Sequence, residues 1–119
     1  MKAATLAEIK RELKHRDPEE ILQMCLRLGR FKKDNKELMT YMLFEAGDEN
    51  AYVLSITQLI DESILDFNTS HIYYIKKGFQ KLLRSINKYI RYSGSKTTEI
   101  EVLLHFCRSM KKPGLRIDR

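Results

Sequence analysis

The stretch His71-Ile72-Tyr73-Tyr74-Ile75-Lys76-Lys77-Gly78-Phe79-Gln80-Lys81-Leu82-Leu83-Arg84-Ser85-Ile86-Asn87-Lys88-Tyr89-Ile90-Arg91-Tyr92 decides the fold class. Ile72, Ile75, Phe79, Leu82, Leu83, Ile86 and Ile90 hold the 3.6-residue period from end to end, which specifies an amphipathic helix. At the helical rise this fifth helix is about 33 Å long. Gly78 costs about 1 kcal/mol relative to Ala inside a helix, so its presence is read as marking a close helix crossing. Ser93-Gly94-Ser95 ends the run.

Outward from this helix, five further helical segments carry start signals. Thr5 and Glu8 have capping-box spacing ahead of Leu6, Ile9 and Leu13. That short first helix has one narrow apolar stripe and must dock on something larger. Asp17-Pro18-Glu19-Glu20 reads as an N-cap, an N1 proline and two carboxylates favoured by the helix dipole. Ile21, Leu22, Met24, Cys25 and Leu28 then face inward, and Gly29 weakens the end of the second helix. Asp34 and Glu37 repeat the capping-box spacing and open the third. Its residues Leu38, Met39, Tyr41, Met42, Leu43 and Phe44 are apolar nearly all round, which reads as a central core helix. The other reading leaves one of its faces waiting for a partner.

Asp48 caps a fourth helix from Glu49 to Phe67, after Gly47 at a C′ position. Its stripe is Tyr52, Val53, Ile56, Leu59, Ile60, Ile64 and Phe67. The sixth helix starts near Thr97 or Thr98 and carries Ile100, Leu103, Leu104, Phe106, Cys107 and Met110. Pro113-Gly114 stops it.

No segment alternates as a strand does. Gly and Pro together number 7 of 119 residues, too few for a turn-rich chain. The expected fold is all-α, a compact domain of five or six helices over residues 1–112 with a C-terminal tail at 113–119. Short connections favour antiparallel hairpins: second with third, fourth with fifth, fifth with sixth. An irregular bundle and a short α-α superhelical array both satisfy that layout.

No apolar run is long enough for a signal peptide or a bilayer span, so no membrane partner is expected. Cys25 and Cys107 lack any paired spacing. They read as core hydrophobes of a protein in a reducing cytoplasm.

The formal charge of +6 is unevenly distributed. Residues 1–66 hold ten Lys or Arg against thirteen Asp or Glu, a balance of −3. Residues 67–98 hold seven cations and no acid, and residues 99–119 hold five against three. Lys77, Lys81, Arg84, Lys88 and Arg91 follow i, i+4, i+7, i+11, i+14, which puts them on one face, opposite the apolar stripe. Tyr74 extends this face at one end and Tyr92 at the other, with Lys96 beyond. Like charges at i,i+4 weaken a helix by a few tenths of a kcal/mol per pair.

Three readings of the face stand together. It takes a nucleic-acid backbone, with the tyrosines stacking on single-stranded bases; it takes an acidic protein; or it is balanced within the fold by Asp61, Glu62 and Asp66. A second candidate contact is an apolar groove around Met39, Met42 and Phe44, for a protein partner.

The turn Gly94-Ser95-Lys96-Thr97-Thr98 has the makings of an anion site, yet it follows a helix and lacks the glycine pattern of a P-loop. Nucleotide hydrolysis is rejected there, and capping by Thr97 or Thr98 is preferred. His15, His71 and His105 are scattered. Glu101 and His105 share a face without the second motif a di-iron bundle needs. No serine sits in a nucleophile motif. Glu45 and Glu49 flank a turn and read as solvated. No cofactor, metal or catalytic residue is assigned, and the chain is read as non-enzymatic.

Phe31-Lys32-Lys33-Asp34-Asn35-Lys36-Glu37-Leu38, Leu43-Phe44-Glu45 and Asn87-Lys88-Tyr89-Ile90-Arg91-Tyr92 resemble segments of small all-helical bacterial proteins of uncharacterised function. The resemblance covers most of the chain from the second helix to the sixth. It implies a helical fold and carries over no site residue. The functional expectation is a non-catalytic binding or adaptor module whose fifth helix presents the contact surface.

Overall fold

A computed structural model describes residues 1–111. Six α-helices and no strand are found among them: α1 (Leu6–Leu13), α2 (Pro18–Phe31), α3 (Lys33–Thr40), α4 (Glu49–Leu65), α5 (Ile72–Ser93) and α6 (Lys96–Met110). The all-α expectation is therefore met. Contacts divide the chain into two compact units, one ending at Thr40 and one beginning at Tyr41. The expected stop at Pro113-Gly114 and the tail at 113–119 lie outside the described residues.

In the N-terminal unit the local signals act as their chemistry requires. Thr5 Oγ1 accepts from the Glu8 N–H at 3.2 Å, and Glu8 Oε1 accepts from the Thr5 N–H at 3.1 Å. Asp17 Oδ1 accepts from the Glu20 N–H at 2.9 Å, ahead of Pro18 at N1. Helix α2 continues two residues past Gly29, to Phe31. Gly29 lies buried beneath the Met39 sulfur, which draws α3 close. Asn35 Nδ2 donates to the Leu28 carbonyl at 2.8 Å and ties the α2–α3 hairpin. Asp34 is not the N-cap of α3. Lys32 is extended and α3 starts at Lys33, so Asp34 falls in the first turn.

The inward assignments in α2 hold only in part, and the stripe of α1 is uncovered. Leu6, Ile9 and Leu13 of α1 and Leu22, Met24 and Leu28 of α2 are all exposed. Ile21 and Cys25 are half-buried. Amphipathic spacing gives the helices an apolar face but does not supply anything to cover it.

The second unit holds the core. Tyr52, Ile56, Ile60 and Ile64 of α4 meet Ile75, Phe79, Leu82, Ile86 and Ile90 of α5 and Val102 and Phe106 of α6. Ile60, Ile86 and Val102 are completely covered. Phe79 stands edge-on to both Phe67 and Phe106, with ring centroids 4.9 and 5.6 Å apart. Gly78 meets not another helix, as expected of it, but the ring of Phe67 past the end of α4. A Cβ there would stand 3.0 Å from two ring carbons. Gly94 ends α5 at φ 70°, donating to the Ile90 carbonyl at 2.9 Å. Beside the sequential hairpins, α4 packs extensively on α6.

Three expectations are corrected here. The segment after α3 is not a core helix. Residues Tyr41–Glu45 form a π-turn, with the Ala46 N–H donating to the Tyr41 carbonyl at 2.8 Å. The wider turn brings Tyr41 inward and leaves Met42, Leu43 and Phe44 exposed. Helix α6 is capped by Ser95, whose Oγ accepts from the Thr98 N–H at 3.3 Å, rather than by Thr97 or Thr98. Cys107 is exposed, because α6 buries Thr98, Val102, Phe106 and Ser109 and turns Ile100, Leu104 and Cys107 outward.

Candidate functional site

The basic face is built by α5 alone. Its buried residues Ile75, Phe79, Leu82, Ile86 and Ile90 fix one side against the core. Lys77, Lys81, Arg84, Lys88 and Arg91 fall on the opposite side at 100° per residue and span about 21 Å. Lys77, Lys81, Arg84 and Arg91 are exposed and Lys88 is half-buried. Among the described residues, Lys81, Arg84 and Arg91 form no ion pair or hydrogen bond. Lys88 and Tyr92 are engaged within the chain. Tyr92 packs half-buried against the core, its ring 6.2 Å from that of Tyr89. Lys96 begins α6 and pairs with Glu99 at 3.5 Å.

The acids of α4 differ in their surroundings. Asp61 Oδ1 lies 2.8 Å from His105 Nε2 on α6. Glu62 and Asp66 are exposed, and Asp66 is the C-cap of α4.

The N-terminal end of α5 carries an aromatic group that sequence reasoning saw only in part. Tyr74 is exposed, as is its neighbour Tyr73 at 60%. Their rings stand edge-on at 5.3 Å, and the His71 ring lies 6.0 Å from that of Tyr74. Lys77 Nζ sits 5.5 Å from the Tyr73 ring centroid and donates to the Tyr73 hydroxyl at 3.3 Å. The i,i+4 spacing of Tyr73 and Lys77 is the signal that could have found this pair.

The apolar candidates fall in different places. Met39 is half-buried in the N-terminal unit, with its sulfur against Gly29. Met42 and Phe44 lie on the π-turn, 56% and 77% exposed.

A polar cluster at Glu49 was read from the sequence as solvated loop, and the structure overturns that reading. Glu49 is half-buried and accepts from the Tyr41 hydroxyl at 2.7 Å, from Thr98 Oγ1 at 2.5 Å and from Ser93 Oγ. Burial alone pushes the Glu49 carboxyl up. The hydroxyls of Ser93, Thr98 and Tyr41 outweigh that and hold it below the ordinary value. The same bond raises the Tyr41 phenol. Tyr52, edge-on to Tyr41 at 4.7 Å, donates to the Tyr89 carbonyl at 2.7 Å. Burial pushes its phenol far up. These bonds join the π-turn, α4, α5 and α6, and the Thr98 hydroxyl of the anion-site turn is held by Glu49.

Between α5 and α6 a depression of about 240 Å³ is lined by Lys76, Phe79, Gln80, Leu83, Phe106 and Met110. Among the described residues no three His, Cys, Asp or Glu side chains gather as metal ligands would, and no helix is long and apolar enough to cross a membrane. Comparison with protein-family models, with curated proteins and with solved structures yields no match to this chain.

Proposed function

We propose that the protein is a non-catalytic binding module whose α5 takes the backbone of a nucleic acid. The carrying observation is the exposed run of Lys77, Lys81, Arg84 and Arg91, set opposite the buried side of α5 with no acid along the helix. A phosphate spacing of several ångströms along a 21 Å track matches roughly four contacts, and each releases counterions from the strand. Tyr73 and Tyr74 supply exposed rings for base stacking, which favours single strands. The free thiols of Cys25 and Cys107 suit a reducing cytoplasm.

Fluorescence anisotropy with labelled single-stranded and duplex oligonucleotides tests this. Binding should fall steeply with salt, with a log–log slope near about −3 for four contacts on a single strand. Lys81→Glu with Arg84→Glu should abolish it. Equal affinity in that double variant would overturn the reading.

A second reading rests on Met42, Leu43 and Phe44, exposed together on the π-turn. Such a patch fits a protein partner. Binding of that kind would survive the Lys81 and Arg84 substitutions and change little with salt.

A further inference from the structure

We infer that the protein pairs with a second copy of itself through the apolar face of its N-terminal unit, formed by Leu6, Ile9 and Leu13 of α1 with Met24, Leu28 and Phe31 of α2. The starting point is an imbalance. In residues 1–40 the only buried residue is Gly29, while these six large side chains are exposed, Leu6 at 84% and Phe31 at 76%. Helix α1 has eight residues, short of the about 12–15 below which an isolated helix is marginal in water. A unit this small needs its apolar face covered to be stable.

The amount of surface fits a pair of copies. At roughly 200 Å² for each fully exposed side chain of this size, the six leave about 700 Å² open. Two copies would bury about 1,400 Å² in total, inside the range of stable specific interfaces.

The shape fits as well. A groove of about 610 Å³ runs beside α1, with Ile9, Leu13 and Met24 among its lining residues. Met24 also lines the adjoining depression with Arg27, Leu28 and Phe31. Groove and protruding ring thus share one continuous surface, which an isologous two-fold contact requires. The two-fold seats Phe31 of each copy in the groove of the other.

Charge points the same way. The lining of the groove also includes Glu8 and Glu12 together with Arg11, His15 and Arg16. A lining of both signs can face its own copy, whereas the single-sign face of α5 would repel it.

Sedimentation velocity of the full chain across the micromolar range tests the pairing. The expected result is a concentration-dependent shift from 14.1 kDa to about 28 kDa, maintained at high salt. Leu13→Glu with Phe31→Glu should raise the dissociation constant by about a hundredfold or more, with helicity unchanged by circular dichroism. Phe31→Leu should retain pairing within about tenfold. Met42→Glu with Phe44→Glu should leave it intact. A 14.1 kDa species at every concentration would overturn the inference, whatever the variants do. So would a dimer that tolerates the Leu13 and Phe31 changes, or one lost on changing Met42 and Phe44.

Discussion

Replacing Glu49 by Gln keeps the outline of the side chain and removes its charge. Three hydroxyls, from Tyr41, Ser93 and Thr98, donate to that carboxylate in the folded protein. Hydrogen bonds to an ionised acceptor are about twice as strong as neutral ones, with net values of about 1.5–3 kcal/mol against about 1 kcal/mol. Weakening three such bonds in a half-buried site should cost about 2–3 kcal/mol. At this chain length that lowers the melting temperature by about 8–12 °C. Urea and thermal unfolding, followed by far-ultraviolet circular dichroism, measure it directly.

The effect of pH on this difference follows from the carboxyl's lowered position in the folded state. Such a group adds stability above its unfolded value of 4.5 and loses it as pH falls through the folded value. The gap between wild type and Glu49→Gln should therefore be full at neutral pH and close on acidification. A variant within about 0.5 kcal/mol of wild type at neutral pH would refute the reasoning. A gap that stays constant down to about pH 2 would refute it equally.

Two other perturbations test the packing. Gly78→Ala gains up to about 1 kcal/mol of helix propensity but presses a methyl group onto the Phe67 ring, where overpacking costs about 1–3 kcal/mol. The net expectation is a loss of about 1 kcal/mol in urea unfolding, which should vanish or reverse in a Phe67→Leu background. Exposed Cys107 should react with Ellman's reagent in the native protein at the rate of a free thiol, and half-buried Cys25 at least about tenfold more slowly. Native protein with two unreactive thiols would contradict the placement of α6.

What the chain declares in its sequence is what it settles within a few residues. The Thr5–Glu8 box, the Asp17 N-cap, Pro18 at N1 and Gly94 past the end of α5 are local bargains between side chain and backbone, and all were legible. The long period of α5 was legible too, because one buried stripe explains every apolar residue from Ile75 to Ile90. The Glu49 cluster was not, since its partners Ser93 and Thr98 lie 44 and 49 residues away. Residues near Tyr41 misled for a different reason. Apolar residues on every side suggest full burial, and only the π-turn shows that one tyrosine goes inward while its three successors do not. The cation stripe is legible from its spacing, while Tyr73 joins Lys77 through an i,i+4 contact that lies off the line of the cations.

The contrast between a first unit that buries one glycine and a second built on Ile60, Ile86 and Val102 sets two clocks in one chain. Amide protons in the core turns of α4, α5 and α6 exchange with solvent only when the whole core opens. Those of α1, which has no buried residue, are held by helical bonds that a short helix can break by itself. Exchange there is expected to run at the pace of local fraying and to slow if a partner settles onto the apolar face.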